Sequence, residues 1–329
     1  MIREEINDLK GESATLNNIG IGYMNKGDLN KALAYYKQSL EIRRKIGDKE
    51  GITASLSNIG VVYGNQGELD KALEHIEQSL QIRERIGDKY GLGISLHNIG
   101  LVHWNKGELD KALECYERSL ETKNKIGDKH GIARSLANIG NVHLQKGELD
   151  MALRHYKEGL DISVETGEKR QEVQNCCGMA EAYLGLEDAP GALEQAEKAL
   201  DISVDIGAKL EEGMSCRVLG MVHREMKDWD RAVEEFGKAM DILEGVGNKN
   251  ELARLFYEYG LMWKAKGDPA KAKEYLSKAL SEFKCMGMRL WAEKAKRALP
   301  QVREHTNNDN SPRQSPHQED RGALEGLWF

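Results

Sequence analysis

One alanine and one glycine recur every 40 residues along almost the whole chain. The alanine stands at Ala32, Ala72, Ala112, Ala152, Ala192, Ala232 and Ala272, and the glycine at Gly47, Gly87, Gly127, Gly167, Gly207, Gly247 and Gly287. We number the blocks from residue 12, so that block one covers residues 12–51, and call a position shared by the blocks a slot. A period this regular predicts a stack of similar units, whereas the length of 329 residues alone would predict about two globular domains.

Within each block, the apolar residues follow helical spacing. In block one the spacing i, i+3, i+4, i+7 occurs at Leu16, Ile19, Gly20 and Tyr23, and again at Leu29, Ala32, Leu33 and Tyr36. This spacing places the residues on one face of a helix. Gly27 and Gly47 follow the two patterns, and a glycine readily adopts the left-handed conformation that ends a helix. Asp48 is then expected to cap the next helix, so each block is predicted to be a helix–turn–helix.

A single pair of helices cannot bury its apolar face, whereas a stack of pairs forms one continuous core. The predicted fold is therefore all-α, a right-handed superhelical solenoid of seven 40-residue helix–turn–helix repeats over residues 12–291. Residues 1–11 align with the end of a second helix and are predicted to be the tail of a preceding half-repeat. Residues 289–304 are predicted to form a C-terminal capping helix. Residues 305–317 are polar and contain prolines, and the last residues of the chain are apolar, so residues 305–329 are predicted to form a disordered tail with an apolar end.

Composition narrows the classes of function. The net charge of −7 shows no basic excess of the kind that nucleic-acid binding requires, and no run of about 18 apolar residues predicts a membrane span. The N-terminus is charged, which argues against a secretory signal. The five cysteines have no C-x-x-C spacing, so reduced thiols and a cytoplasmic location are expected. No catalytic motif or metal-ligand spacing is present, so we expect a non-catalytic protein without cofactor or metal.

The repeat resembles the tetratricopeptide repeat consensus. The residues that carry the resemblance in block four are Asn138, Ile139, Gly140, Asn141, His143, Gly147, Ala152, Tyr156 and Leu160. The 40-residue form, in which the second helix is long and ends in Gly-Asp-Lys, resembles the arrays of Pins-type spindle-orientation adaptors and of kinesin light chain. It is also similar to sensor arrays attached to prokaryotic signalling enzymes. The resemblance implies a solenoid whose first helices line a concave groove that binds another protein.

Amide side chains recur on the groove side of the first helices. One slot holds Asn18, Asn58, Asn98 and Asn138, and a second slot, seven residues later and on the same face, holds Asn25, Asn65 and Asn105. A primary amide carries both a donor and an acceptor, so it can pair with the backbone of an extended peptide. The alternative for the first slot is that these asparagines bond between neighbouring helices.

Groove slots whose residues vary between blocks would make the groove selective for particular ligand sequences. Leu101 and Trp104 are predicted to form an apolar anchor pocket, with Asn141 in the slot of Leu101 one block later; the alternative for Trp104 is packing into the next block. Blocks five to seven change character. Their groove slots carry Arg217, Arg224, Arg254 and Lys264, together with Glu181, Glu225 and Glu258. A partner with both an apolar stretch and acidic residues is therefore expected.

A basic ladder lies on the second helices. Arg43, Arg83 and Lys123 share one slot. Stacked like charges can mark contacts to an anionic partner, and the alternative is a solvated helix face.

The sequence as a whole predicts an interaction scaffold that binds extended peptide segments along the groove of blocks one to four. One alternative is a regulatory sensor array of a larger signalling protein. Another is a self-assembling repeat protein that forms homo-oligomers through an uncapped N-terminal block. A nucleic-acid or membrane partner is not expected.

Overall fold

The computed structural model describes residues 2–300, with side chains from residue 8 onward. Over this range the chain is helical, without a strand. The helices are α1 (Ile2–Asn25), α2 (Leu29–Ile46), α3 (Lys49–Asn65), α4 (Leu69–Ile86), α5 (Lys89–Lys106), α6 (Leu109–Ile126), α7 (Lys129–Lys146), α8 (Leu149–Thr166), α9 (Lys169–Gly185), α10 (Ala189–Asp205), α11 (Lys209–Glu225), α12 (Trp229–Val246), α13 (Lys249–Lys266), α14 (Pro269–Cys285) and α15 (Arg289–Ala298). The first fourteen pair as seven hairpins, which confirms the predicted all-α array of seven repeats.

The stack curves because its two layers pack differently. We call the odd-numbered helices α1 to α13 inner helices and the even-numbered helices α2 to α14 outer helices. Each outer helix packs against the inner helix of its own block and that of the next block. Most neighbouring inner helices also pack against each other, as α9 does with both α7 and α11. The inner helices are thereby drawn together and line the concave face.

Glycine in the inner helix permits close approach to the outer helix of the same block. A Cβ on Gly100 would fall 2.7 Å from Cε1 of Tyr116, far inside normal contact. Block five exchanges this pair for Ala180 and Ala196, both fully buried. An added methyl group on one helix is accommodated by a smaller side chain on the other, which keeps the core close-packed.

The helices stop where the glycine pattern predicts. Twelve glycines at the turns have positive φ, including Gly27 at 76° and Gly47 at 70°. In blocks five and six the equivalent residues are Glu187 and Lys227, which adopt the same left-handed conformation at φ of 61° and 60°. Asp48 Oδ1 accepts a hydrogen bond from the Gly51 amide at 3.1 Å, so the predicted helix cap is confirmed.

Both ends of the array differ from the expected limits. Helix α1 runs without a break from Ile2–Asn25, so the turn expected near residues 7–8 is absent. Asn7 stands there in the slot of Gly47, so the residue that ends the other helices is missing. At the other end α15 covers only Arg289–Ala298. Residues 301–304 of the expected cap and the predicted tail 305–329 lie outside the described residues.

The curvature brings the last turn of the array back to the second and third blocks. A Cβ on Gly67 would fall 2.9 Å from the carbonyl oxygen of Cys285, and one on Gly107 would fall 3.4 Å from Cβ of Leu290. Farther along α15, Lys294 Nζ donates a hydrogen bond to Gln145 Oε1 at the end of α7. The cap helix therefore closes one side of the concave space. Between residues 2 and 300, every helix is too short or too polar to cross a membrane.

Candidate functional site on the concave face

Three consecutive blocks expose an apolar side chain at one slot of the inner helix. Ile21, Val61 and Leu101 are 42%, 36% and 46% exposed, respectively. We call these three residues the apolar ladder. In block four the slot becomes Asn141, which is half-buried and accepts a hydrogen bond of 2.7 Å from the hydroxyl of Tyr156. A row of exposed apolar side chains on adjacent helices is a surface that can bind an apolar ligand.

Beside the apolar ladder runs a row of amides. Asn25 and Asn65 are exposed and Asn105 is half-exposed. Within residues 8–300 no side-chain hydrogen bond occupies these three amides. We call them the amide ladder. Its donors and acceptors face solvent and are available to the backbone of another chain.

The asparagines of the first predicted slot have a different role in at least two blocks. Asn58 Nδ2 donates to Asn17 Oδ1 at 3.0 Å, and Asn138 Nδ2 lies 3.4 Å from Nδ1 of His97. Both contacts join inner helices of neighbouring blocks, as the alternative interpretation expected. Asn18 is exposed and Asn98 is half-buried, and neither forms a side-chain bond among the described residues. This slot therefore serves the packing of the array at two of its four positions.

Trp104 was predicted as a groove anchor, and the structure corrects this. The indole is only 6% exposed and belongs to a core cluster with Ala112, Tyr116, Ile139 and Val142. Its slot points sideways into the seam with block four, where the apolar residues of the next inner helix cover it. Two equivalent residues, Met24 and Leu144, also pack against core clusters. Large apolar residues in three of the first four blocks were the sequence signal for a core slot.

The basic ladder is also corrected, because its members are neither solvated nor available to an anionic partner. Arg43 and Arg83 are 7% exposed and Lys123 is 2% exposed. Arg43 Nη1 donates to the carbonyl oxygen of Gly51 at 2.7 Å and to Ser55 Oγ at 2.9 Å. Arg83 makes the same two contacts one block later, to Gly91 and Ser95. These cations join the outer helix of one block to the inner helix of the next.

Lys123 closes the third of these seams by donating to Ser135 Oγ at 2.9 Å. Burial, and next the charge of Arg134, lower the pKa of Lys123 to about 8, against a smaller opposing effect of Asp128. Each cation also needs a glycine beneath it, because a Cβ on Gly51 would fall 2.7 Å from Cδ of Arg43. The sequence signal for these buried contacts is a serine that stands 12 residues after each cation.

A polar cavity of about 300 Å³ lies deeper in the concave face, between α7 and α13. Its walls are formed by Arg134, Ala137, Asn138, Asn141, Tyr156, Gln174, Cys177, Gly178, Glu181, Leu210, Met214, Arg217, Asn248, Asn250, Glu251 and Arg254. Four inner helices contribute to it. Asn138 and Asn141 come from the predicted groove set, and Glu181, Arg217 and Arg254 from the charged slots of the later blocks. Arg134, Asn248, Asn250 and Glu251 were not singled out from the sequence.

Arg217 sits among carboxylates at the wall of this cavity. It is 4% exposed; Nη2 lies 3.0 Å from Glu181 Oε1, and Nε lies 3.5 Å from Glu251 Oε2. Burial acts to lower the pKa of Arg217, but the charges of Glu181, Glu251 and Glu258 together raise it above its ordinary value. Arg224 is paired in the same way, with Nη1 at 2.7 Å from Glu258 Oε2. These two guanidinium groups are neutralised within the protein.

Arg134 and Arg254 are not neutralised in this way. Arg254 has its nearest carboxylate contact at 3.8 Å, to Glu251 Oε1, beyond hydrogen-bonding distance. Its Nε has no hydrogen-bond partner, and its guanidinium lies 5.1 Å from the ring centroid of Trp291 on α15. Arg134 is exposed and has no ion pair within residues 8–300. Lys294 of the cap helix lies nearby, and burial lowers its pKa against smaller opposing effects of Glu258 and Glu181.

The model of one sequence family accounts for most of the chain. The tetratricopeptide repeat model matches residues 11–85, 91–165, 131–204 and 210–281. No curated protein matches this sequence.

Solved structures show the same fold at low identity. The Rap conjugation gene regulator of the plasmid pLS20, in complex with the Phr* peptide, superposes with a TM-score of 0.68 at 16% identity over 92% of this chain and 80% of that chain. A STAND protein with a tetratricopeptide repeat sensor from Pyrococcus horikoshii gives 0.61 at 20% identity, over 89% of this chain and 45% of that one. Kinesin light chain repeats from Podosopora anserina give 0.51 at 17% identity, over 59% and 95%.

Proposed function

Because the chain belongs to the tetratricopeptide repeat family, we propose that it is an interaction scaffold that binds an extended peptide segment along the concave face of blocks one to four. The observation that carries the proposal is the apolar ladder with the amide ladder beside it. Ile21, Val61 and Leu101 offer apolar surface to the ligand's side chains. The amides of Asn65 and Asn105 pair with its backbone, so that binding combines both kinds of contact.

The geometry of the ladder favours a ligand with a particular pattern. Neighbouring packed helices lie about 10 Å apart, so the rungs of the apolar ladder are separated by about that distance. A polyproline II segment rises about 3.1 Å per residue with three residues per turn, and so presents every third side chain on one side about 9 Å apart. We therefore expect apolar residues at every third position of the ligand.

The structural comparison adds support of a general kind. The Rap regulator that resembles this chain was solved with a peptide bound, so a solenoid of this shape can hold one. The ligand of this chain is a separate matter, since the two sequences are 16% identical. A cytoplasmic location is part of the proposal, supported by five free cysteines, four of them buried.

A phage-displayed library of random dodecapeptides tests the proposal. We expect the wild-type chain to enrich peptides with apolar residues at every third position, and a V61E/L101E variant to lose that enrichment. The matched control is Val164→Glu on the outer helix α8, since Val164 is 54% exposed outside the groove. Equal enrichment by all three proteins, or none by the wild type, would refute a groove ligand.

Two alternatives have an observation of their own. The likeness to the STAND protein's repeat sensor favours a sensor array within a larger signalling protein. The first block favours self-assembly, because Ile19 is 38% exposed whereas its equivalents Ile59, Ile99 and Ile139 are at most 5% exposed. Self-assembly requires that the mass measured by light scattering rise with concentration and that Ile19→Asp abolish the rise.

A further inference from the structure

The geometry points to a second subsite for the same ligand: we infer that the polar cavity between α7 and α13 receives one carboxylate side chain of the peptide, held between Arg134 and Arg254. The inference rests on the proposed function, since it assigns the peptide a second anchor. An apolar ladder alone would bind many apolar segments, whereas a charged anchor makes the choice of ligand selective.

Among the arginines that line the cavity, these two donate no hydrogen bond to a carboxylate of the described residues. Arg217 Nη2 donates to Glu181 Oε1 at 3.0 Å, and its Nε, which like that of Arg254 lacks a hydrogen-bond partner, still lies 3.5 Å from the carboxylate of Glu251. Arg254 makes no carboxylate contact within hydrogen-bonding distance, and its Nε lacks a partner. Arg134 has no ion pair among the described residues. A planar guanidinium with free donors matches a carboxylate in a bidentate arrangement.

Both arginines occupy the same slot, three blocks apart, on α7 and on α13. The curvature of the solenoid brings these equivalent positions to one cavity, so that two like charges converge on it from different helices. An anion that enters the cavity is therefore attracted by both charges. Amides of Asn138, Gln174 and Asn250 line the same walls and can supply further donors.

Charge balance and size select the kind of anion. The lining holds three arginines and two glutamates, which leaves one uncompensated positive charge. A single carboxylate balances it, whereas a phosphate dianion would leave excess negative charge next to Glu181 and Glu251. The volume of about 300 Å³ lies at the lower end for ligand pockets and is large enough for one carboxylate side chain.

The position of the cavity fixes where the acidic residue falls in the ligand. Asn141 is the rung that follows Leu101 in the ladder slot, and it lines the cavity. One block corresponds to about three residues of a polyproline II segment. We expect the acidic residue about three to six residues beyond the apolar residue that contacts Leu101.

The experiment uses the full chain and the random dodecapeptide library. Peptides enriched by the wild type are sequenced, and the most enriched one is synthesised with its acidic residue as Asp or Glu, as the corresponding amide, and as phosphoserine. Isothermal titration calorimetry measures each against the wild type, R134M, R254M, and R154M. Arg154 is exposed on α8, away from the cavity, and serves as the matched control. Arg134 is exposed as well, so R134M is expected to fold normally, which circular dichroism checks.

We expect the amide peptide to bind about 10-fold to 100-fold more weakly than the acidic one, the range for a charge-assisted hydrogen-bonded contact. R134M and R254M should each lose most of that preference, and R154M should keep it. Enriched peptides without an acidic residue, or a preference that survives in R134M and R254M, would overturn the subsite while the groove proposal stands. Tighter binding of the phosphoserine peptide would overturn the assignment to a carboxylate. If no peptide is enriched, both proposals fail.

Discussion

Replacing Arg83 by methionine should weaken the seam between blocks two and three. Arg83 Nη1 donates to Ser95 Oγ at 2.9 Å and to the Gly91 carbonyl, both in the buried seam. Hydrogen bonds from a charged donor contribute about 1.5–3 kcal/mol each, so the gross loss is about 3–6 kcal/mol. Burial lowers the pKa of Arg83, against an opposing effect of Asp88, which shows that the cation carries a desolvation cost that the substitution removes. The net loss should be about 2–3 kcal/mol.

Urea unfolding followed by circular dichroism measures this change, with Arg85→Met as the matched control. Arg85 is on the same helix but exposed, and an exposed substitution of this kind changes stability by at most about 0.5 kcal/mol. Because each block of a repeat array contacts mainly its neighbours, the weakened seam should also let blocks one and two unfold before the rest. The rate of amide hydrogen exchange would then increase first in helices α1 to α4.

The chain itself provides a rescue of this defect. In the seam between blocks six and seven, the slots of Arg83 and Ser95 are filled by Leu243 and Leu255, both fully buried. The double variant R83L/S95L should therefore recover most of the stability that R83M loses, because an apolar pair leaves no buried donor or acceptor without a partner. If R83M unfolds like R85M, or R83L/S95L is no more stable than R83M, the seam does not depend on this hydrogen-bonded pair.

Three further predictions concern single positions. Glu187→Gly should raise the free energy of unfolding by about 0.5–1 kcal/mol, because glycine adopts the left-handed conformation of this position without strain. The control Glu194→Gly, inside α10, should lower the free energy of unfolding by about as much. Urea unfolding that ranks the two variants otherwise would contradict this. Gly100→Ala should lower the free energy of unfolding by about 2 kcal/mol, because the added Cβ collides with the ring of Tyr116. Gly22 has open space around it, so the control Gly22→Ala should not lower the stability. Equal melting temperatures of the two variants would contradict this prediction. Lys123 has a pKa of about 8 in the folded chain and an ordinary value of 10.5, so between these pH values the unfolded chain binds a proton that the folded chain has released. The stability of the wild type relative to K123M should therefore increase as the pH rises through this window. A difference in stability that does not change with pH would refute this prediction.

The architecture was predictable from the sequence because it rests on local signals that repeat. The spacing of Leu16, Gly20 and Tyr23 defines an inner helix, and Gly27 ends it; each recurs often enough to separate it from chance. Glycines and capping aspartates act over a few residues, so their structural effect is visible in a short stretch of sequence. The exposure of Leu101 was also predictable, because its slot lies on the helix face opposite the core.

What could not be predicted depends on relations between blocks. Trp104 and Arg83 lie at slots whose surroundings come from the next block, so a single helix pattern cannot tell a seam from a surface. The contact between Gly67 and Cys285 is a stronger case, since it results from small rotations accumulated over more than five blocks. Each rotation depends on side-chain volumes such as Ala180 against Ala196, and a minor error in every block would open or shift the cavity.

The two halves of the array distribute polarity in opposite ways. In blocks one to three the concave face carries the apolar ladder of Ile21 and its equivalents, while the seams are closed by hydrogen-bonded cations such as Arg83. In blocks six and seven the seam is apolar, at Leu243 and Leu255, and the charges lie on the concave face instead, as Arg254 does. Either arrangement stabilises the stack, so the need to fold does not explain why charge moves from the seam to the groove. A ligand that is apolar along one part and carries an acidic side chain at the other would require that exchange, and this is why we assign the two surfaces to one peptide.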